Sequence, residues 1–329
     1  MAPSYRAGII MQRRLPKALK KGDEVAVIAP ASGGFLPDAL ARGCARLREW
    51  GFEPTLLPHA RERLDWPEGC AMAAPDAARL ADLQQALDEP RFRAVLCTRG
   101  GYGVGRLLPQ LDWTAFAGDP KPIVGYSDLT ALHAAARVAT GVVTLHGPMV
   151  ATTDAMDPGA HGWELQRRLL TETRAPVELP AAVDSQVLSA GAAEGPLVGG
   201  NLALVQSLLG TPWQLDMRGA LVFLEDIGEA PYRVDRMLTQ LLQAGALRDC
   251  AGIVLGDFHA DDTPLASVHP GMQAVLVERL QGAGVPVACG FPIGHRPGAW
   301  TLPFGAMARL HARADGPAML ALLEPAVQS

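Results

Sequence analysis

The chain has 329 residues, and its 29 Lys and Arg against 34 Asp and Glu give a formal net charge of −5 at pH 7, which argues against a nucleic-acid partner. No uncharged apolar stretch of about 18 residues occurs, so we expect no membrane-spanning segment. With 49% hydrophobic residues, the chain is long enough for two domains with buried cores.

Short apolar runs alternate with helix-like segments in the first half of the chain. We predict strands at 24–29, 93–98, 122–125 and 142–145, and helices at 37–50, 75–87 and 129–139. This alternation is typical of a parallel sheet that helices cover on both faces. In such sheets ligands bind beyond the carboxyl ends of the strands.

The alternating pattern weakens after residue 150 and returns near residue 195. The region between holds several prolines and one helix-like stretch at 163–170. Beyond it we predict strands at 220–224, 252–255 and 306–312, and helices at 201–209, 232–244 and 270–281. The predicted organisation is therefore an N-terminal α/β domain over 19–150, a linker over 151–194 and a C-terminal β/α domain over 195–329.

Motifs for cofactors and metals are missing from the sequence. The glycine-rich segment 99–106 fails the dinucleotide fingerprint, because Arg106 stands where its last glycine would be. The polar segment 257–262 has metal-ligand residue types, but we favour a polar loop after a strand. We expect no cofactor and no metal.

The cysteines indicate the compartment. They number five, an odd count, and none is in CxxC spacing. Free thiols in a reducing compartment fit this better than a disulfide framework. The first residues do not have the pattern of a signal peptide, so we expect a cytoplasmic protein.

One segment predicts a nucleophile. Residues 122–130 follow the pattern strand, tight turn, helix, with Ser127 at the turn. A serine there faces solvent at the carboxyl edge of the sheet, beside helix amides that can hold an oxyanion. The layout resembles a nucleophile elbow, although G-x-S-x-G is absent. From this segment alone, a plain helix cap by Ser127 or Asp128 is the simpler interpretation.

The second half of the chain offers the partners that a serine nucleophile needs. A serine hydroxyl requires a base such as imidazole, and the imidazole requires a carboxylate to fix its tautomer. The apolar run 221–224 ends in Glu225 and Asp226, and His295 lies in the Gly/Pro-rich loop 290–296. A histidine in such a loop packs little, which disfavours a purely core role.

Five short motifs together resemble the murein tetrapeptide L,D-carboxypeptidases, a serine peptidase family that also includes microcin-immunity peptidases. They are CTRGGYG at 97–103, GYSD at 125–128, GGNL at 199–202, LEDIGE at 224–229 and GH at 294–295. The matches occur in order from about residue 19 to 308. Each motif is short, but five in register are specific.

The resemblance implies roles for these residues. Ser127 would be the nucleophile, His295 the general base and acid, and Glu225 the carboxylate that orients the histidine. The oxyanion would lie between the backbone amide of Asp128 and that of Gly100 or Gly101. The family's fold is a flavodoxin-like or amidotransferase-like N-terminal domain and a C-terminal β/α domain, with the active site in the cleft between them.

The resemblance also implies a substrate. The enzyme would remove the terminal D-alanine from cytoplasmic murein tetrapeptides during peptidoglycan recycling, and would form a homodimer. Substrate-binding hypotheses are Arg99 and Arg296 for the terminal carboxylate, together with Tyr102 and Asn201. Because the base is an imidazole, activity should fall below about pH 6. The third residue of the peptide stays open.

Three alternatives remain at this point. A microcin-immunity-type peptidase would use the same triad on a peptide–nucleotide toxin. A catalytically silent module would bind muropeptides and tolerate loss of Ser127. An amidotransferase-like enzyme would use Cys97 as its nucleophile, although a small residue in a buried strand explains Cys97 better.

Overall fold

The computed structural model describes residues 12–34, 37–65, 71–152, 156–175, 177–179, 185–259 and 270–329. The strands in chain order are β1 (Glu24–Ile28), β2 (Glu53–Leu56), β3 (Leu64–Asp65), β4 (Ala71–Met72), β5 (Phe92–Cys97), β6 (Ile123–Gly125), β7 (Thr144–His146), β8 (Val177–Glu178), β9 (Gln186–Ser189), β10 (Gly191–Asn201), β11 (Leu221–Ile227), β12 (Gly252–His259), β13 (Val287–Cys289), β14 (Leu302–Phe304), β15 (Met307–Ala312) and β16 (Met319–Leu322). The helices are α1 (Pro37–Glu49), α2 (Asp76–Asp88), α3 (Thr114–Gly118), α4 (Thr130–Thr140), α5 (Gly159–Thr171), α6 (Leu202–Ser207), α7 (Pro231–Gln243) and α8 (Pro270–Leu280).

The first sheet is parallel except at one edge. Its order is β2-β1-β5-β6-β7, followed by β14, which pairs antiparallel with β7. Numbered by their own sequence, the five parallel strands lie in the order 2-1-3-4-5, which is the flavodoxin-like order. The interior strand β1 is buried from Val25 to Ile28, as expected for a sheet covered on both faces.

The second sheet is mixed. Strands β10, β11, β12 and β13 are parallel neighbours, and β9 adds antiparallel to β13. The long strand β10 pairs antiparallel with β15 through its first half and parallel with β11 through its second half. Together the two sheets confirm the predicted fold class, an α/β N-terminal domain with a second, β-rich domain.

The region predicted as a linker contributes regular structure. Helix α5 buries Leu165, Leu169 and Leu170, and its Trp163 packs against Trp50 with ring centroids 6.3 Å apart. Strands β8 and β9 extend opposite edges of the second sheet, and β14 joins the first sheet from the C-terminal half. The boundaries at residues 150 and 195 stay a prediction.

The helices of the described ranges differ from membrane-spanning helices. None of them combines the length and the apolar character that a bilayer span requires.

Candidate active site

Ser127 lies at a sharp turn between β6 and α4. Its φ angle is +65°, and within the described residues no other non-glycine residue has a positive φ. L-residues in this region pay about 1–2 kcal/mol, because Cβ approaches the following carbonyl oxygen. Such strain persists only where the surrounding structure imposes it, and it concentrates at functional sites.

The loop after β5 packs directly on the Ser127 side chain. A Cβ atom built on Gly100 would lie 2.8 Å from Ser127 Cβ and 3.1 Å from its Oγ. The neighbouring Gly101 has φ +109°, and a Cβ atom built on it would clash with the side chain of Ser32. Only glycines allow this loop to approach the serine so closely, which places their backbone beside the hydroxyl.

This contact predicts the effect of a single added methyl group. Gly100→Ala should lower kcat/KM for peptide cleavage by about 10²-fold, because the new Cβ must displace Ser127. Gly100 does not require a positive φ, so the chain should still fold. Gly105→Ala, in the same loop with open space around its Cβ, is the matched control and should be near wild type. Equal losses of kcat/KM in Gly100→Ala and Gly105→Ala would contradict the importance of the contact between Gly100 and Ser127.

The Asp128 side chain joins the nucleophile turn to the glycine loop. Its Oδ2 atom accepts a hydrogen bond from the Val104 amide at 2.8 Å. The side chain is buried, and this burial raises the pKa of Asp128 to about 6 against the opposing effect of the Val104 bond. Asp128 therefore holds the two segments that were predicted to supply oxyanion-binding amides.

Glu225 and His295 form a buried pair. Glu225 ends the apolar part of β11 and is fully buried, and its Oε2 lies 2.8 Å from Nδ1 of His295. Gly294, with φ +102°, has no room for a side chain because Glu225 Oε2 occupies that position. The glycine thus lets the histidine loop pack directly on the carboxylate.

The charge around His295 favours its protonated form. Burial alone lowers the pKa of His295, but the charge and hydrogen bond of Glu225, together with the charges of Asp226 and Asp257, outweigh burial. The net result is a raised pKa for His295. An imidazole bound in this way has a fixed tautomer when neutral, with Nδ1–H donating to the carboxylate.

Tyr126 connects this pair to the nucleophile turn. The Tyr126 ring packs on the His295 imidazole with a centroid distance of 4.7 Å, and Tyr126 immediately precedes Ser127. A second contact joins the two halves of the chain, where the backbone N–H of Asn201 donates to Thr130 Oγ1 at 3.0 Å. The Glu225–His295 pair, distant in sequence from the nucleophile turn, therefore packs against the residue next to Ser127.

The sequence was compared with known families and proteins. A model of the LD-carboxypeptidase N-terminal domain matches residues 25–147, and one of the C-terminal domain matches residues 194–310. A Bacillus subtilis (strain 168) protein named "Probable murein peptide carboxypeptidase" is 39% identical over 92% of this chain and 93% of its own length. The chain belongs to the LD-carboxypeptidase family. This confirms the family resemblance and the predicted enzyme class.

Solved structures show the same fold. The muramoyltetrapeptide carboxypeptidase of Oxalobacter formigenes matches with a TM-score of 0.76 and 32% identity, covering 92% of this chain and 99% of that one. An MccF-like protein of Bacillus anthracis str. Ames matches with a TM-score of 0.82 and 26% identity, covering 94% and 100%. Both similarities extend over nearly the whole of this LD-carboxypeptidase.

The predicted substrate-binding residues have different surroundings. Arg99 Nη1 donates to the carbonyl oxygens of Gly33 at 3.1 Å and Gly34 at 2.9 Å. Tyr102 is 46% exposed on the glycine loop, and Arg296 is half-buried beside His295. In sequence, Arg99 and Tyr102 flank the two glycines of the loop that packs on Ser127, and Arg296 follows His295 directly.

Asn201 is engaged inside the second domain. Its Oδ1 accepts the Leu204 amide at 3.2 Å and caps α6, while Nδ2 donates to Asp226 Oδ1 at 2.9 Å. The residue is buried. These bonds favour a structural role over the predicted contact with substrate.

One residue that shapes the site was missed in the sequence. Arg79 of α2 is fully buried and donates to the carbonyl oxygens of Ala74 at 3.0 Å, Gly103 at 3.1 Å and Pro30. It therefore joins the loop after β1 to the glycine loop after β5. The available signal was an arginine on the apolar face of an amphipathic helix, but its acceptors are distant in sequence.

The Cys97 thiol and the possible metal ligands bear on the alternative functions and sites considered from the sequence. Cys97 is fully buried, and burial raises the pKa of its thiol, which disfavours the reactive thiolate of an amidotransferase. In the part of the chain that the structure describes, no group of three or more His, Cys, Asp or Glu side chains is arranged to hold a metal ion. The segment predicted as a polar loop at 257–262 begins within β12, and residues 260–262 lie outside the described residues.

Proposed function

We propose that the protein is a serine-type L,D-carboxypeptidase that removes the terminal D-alanine from murein tetrapeptides. The observation that carries this proposal is the 2.8 Å bond between His295 and Glu225, with the imidazole packed on the residue that precedes the strained Ser127. The names of the Bacillus subtilis and Oxalobacter formigenes relatives support the peptide substrate.

The chemistry would be acyl transfer through an ester. His295 accepts the Ser127 hydroxyl proton as Oγ attacks the carbonyl carbon before the terminal residue. The carbonyl oxygen becomes an oxyanion between the amide of Asp128 and that of Gly100 or Gly101, where each donor lowers the activation barrier by about 3 kcal/mol. The C–N bond then breaks, His295 returns the proton to the leaving amine, and water hydrolyses the ester.

Binding of the substrate requires a cation for its terminal carboxylate. Arg99 and Arg296 are the candidates, since Arg99 precedes the glycine loop that packs on Ser127 and Arg296 follows His295. The proposal places the enzyme in the cytoplasm, in peptidoglycan recycling, as a homodimer. Light scattering of the purified protein tests the dimer independently of activity.

A direct assay tests the function. The protein is incubated with a murein tetrapeptide, and released D-alanine and the tripeptide are measured by mass spectrometry. The matched control is the same peptide ending in L-alanine, which should stay intact. Absence of D-alanine release from a folded protein would overturn the proposal.

A second candidate is cleavage of a peptide–nucleotide toxin by the same triad, and the structural similarity to an MccF-like protein keeps it open to test. The same assay with an aminoacyl-nucleotide conjugate separates the two, because the proposed enzyme should prefer the tetrapeptide. A silent binding module would bind the tetrapeptide and release nothing in either assay.

The pH dependence of cleavage should reflect His295. The base acts when neutral, so activity is full above its pKa and is lost as the pH falls through that value. Because the pKa of His295 is raised, the midpoint of this loss should lie above about 6.5, the ordinary value. The raised pKa therefore places the loss of activity at a higher pH than the value of about 6 expected from the sequence alone. Measuring kcat/KM from about pH 5 to about pH 9 tests it, and a flat profile below about pH 8 would contradict it.

A further inference from the structure

Asp257 lies where two strands of the second sheet fall out of register. Leu224 pairs with Leu255, but Asp226 pairs with Phe258, so the single residue Glu225 lies opposite both Gly256 and Asp257. Irregularities of this kind re-aim a side chain and are frequent beside active sites. This one brings an additional carboxylate to the part of β12 that adjoins the Glu225 position.

The backbone at this point also holds the histidine loop. The Asp257 amide donates to the Ile293 carbonyl oxygen at 2.9 Å, and a Cβ on Gly256 would lie 2.5 Å from the same oxygen. Ile293 is two residues before His295. The Asp257 backbone therefore adjoins both the strand that carries Glu225 and the loop that carries His295.

Charged and titratable groups surround His295 on several sides. Strand β11 supplies Glu225 and Asp226, β12 supplies Asp257 with His259 close to it, and the histidine loop supplies Arg296. The first domain contributes the Tyr126 ring and the buried His146, whose pKa is lowered well below 6.5 by burial, then by His133 and His295. The balance of formal charge around the imidazole is negative.

The three carboxylates differ in what they bond. Glu225 is hydrogen-bonded to His295. Asp226 accepts hydrogen bonds from Asn201 Nδ2 at 2.9 Å and from the backbone amides of Ala203 at 2.9 Å and Ile227 at 2.8 Å. Asp257 Oδ2 is buried, and no group in the described ranges bonds it. Burial raises the pKa of Asp257 to about 6, against nearby Arg296, so it is mostly ionised at neutral pH.

We propose that Asp257 is a positioning residue that stabilises the protonated form of His295 alongside Glu225. The inference rests on the proposed function, in which His295 gains a proton during each acyl-transfer step. Because no group in the described ranges bonds its Oδ2, the Asp257 carboxylate keeps charge available to the imidazolium, and so shifts the pH at which the base becomes active.

The test is an NMR titration of the His295 imidazole, with its resonance assigned from a His295→Gln spectrum. Asp257→Asn removes the charge and should lower the pKa of His295 by about half a unit to one unit. Asp257→Ser is a second neutral variant and should act in the same direction. Asp257→Glu keeps the charge and should restore most of the wild-type value.

Asp119→Asn is the matched control, because Asp119 pairs with Lys17 and Arg93 in the first domain. It should leave the His295 titration unchanged. An unchanged pKa of His295 in either folded neutral variant, or an equal shift in Asp119→Asn, would overturn the inference.

The pH profile of D-alanine release provides the second readout. In Asp257→Asn its acidic limb should move to lower pH by the shift seen in the titration, and an unmoved limb would count against the inference. The titration needs no activity. If the wild-type protein released no D-alanine but Asp257→Asn still lowered the pKa of His295, the result would refute the proposed function alone.

Discussion

Replacing Ser127 with alanine is expected to lower kcat for D-alanine release by about 10³-fold or more, because no covalent ester can form without the hydroxyl. Tetrapeptide binding should persist, since the oxyanion amides and the arginines are untouched. Calorimetric binding and single-turnover cleavage measured on the same protein separate these two effects.

Backbone strain gives this prediction a second readout. Ser127 has φ +65°, which glycine adopts without cost and alanine does not. Ser127→Gly should therefore be inactive like Ser127→Ala, yet more stable than it by about 0.5–1 kcal/mol in denaturant unfolding.

The control for both variants is Ser207→Ala. Ser207 is exposed on α6, and its hydroxyl donates only to the Leu204 carbonyl oxygen at 2.9 Å. Its loss should leave cleavage at the wild-type rate. Cleavage by Ser127→Ala at a rate near wild type would remove the serine from the mechanism and leave only a binding role for this turn.

The interior of the first sheet was predictable from apolar runs. The predicted strands at 24–29, 93–98 and 122–125 correspond to β1, β5 and β6, which are largely buried and contain Val, Ile or Leu, and the strand predicted at 142–145 overlaps the buried β7. Edge strands carry a weaker signal, because none of the residues of β2 or β9 is fully buried. Strands β2 and β9 were missed for this reason.

Strand β10 was missed because its composition conceals it. Five of its eleven residues, Gly191–Asn201, are glycine or proline, which normally weaken a strand. Here Gly199 and Gly200 permit close approach to Phe223 and Thr130, so the tertiary contact determines the residue. The exchange of β14 into the first sheet likewise depends on contacts that no local pattern contains.

The site divides in the same way. Ser127, Glu225 and His295 could be named from motifs, because each stands at the end of a strand or in a loop of recognisable composition. Arg79 could not, since its backbone acceptors lie far along the chain, and the role proposed for Asp257 depends in the same way on a neighbouring strand. Local sequence therefore points to the proposed reacting groups more readily than to the groups that hold them in place.

Glu225→Gln is expected to lower kcat by about 10³- to 10⁴-fold while keeping the shape of the side chain. The amide no longer selects the tautomer with Nδ1–H, and it cannot stabilise the imidazolium that forms when Ser127 attacks. The pKa of His295 should fall, because Glu225 provides the largest effects that raise it. The acidic limb of the remaining activity should therefore move to lower pH.

Stability should change little in this variant. Glu225 is fully buried, and its Oε1 bonds no group within the described ranges. Replacing a buried charge by a neutral amide of equal size removes a desolvation cost together with the ion pair, and the two effects offset each other. Thermal unfolding near the wild-type temperature would show that the loss of activity is not a loss of fold.

Glu229→Gln is the matched control, since Glu229 lies in the same motif four residues along. Glu229 pairs with Arg233 at 3.4 Å near the surface, where such pairs contribute about 0.5 kcal/mol or less. Its neutral variant should cleave the tetrapeptide at nearly the wild-type rate. If Glu229→Gln lost activity and Glu225→Gln retained it, the carboxylate that orients His295 would be misassigned, and the 2.8 Å pair would be structural rather than catalytic.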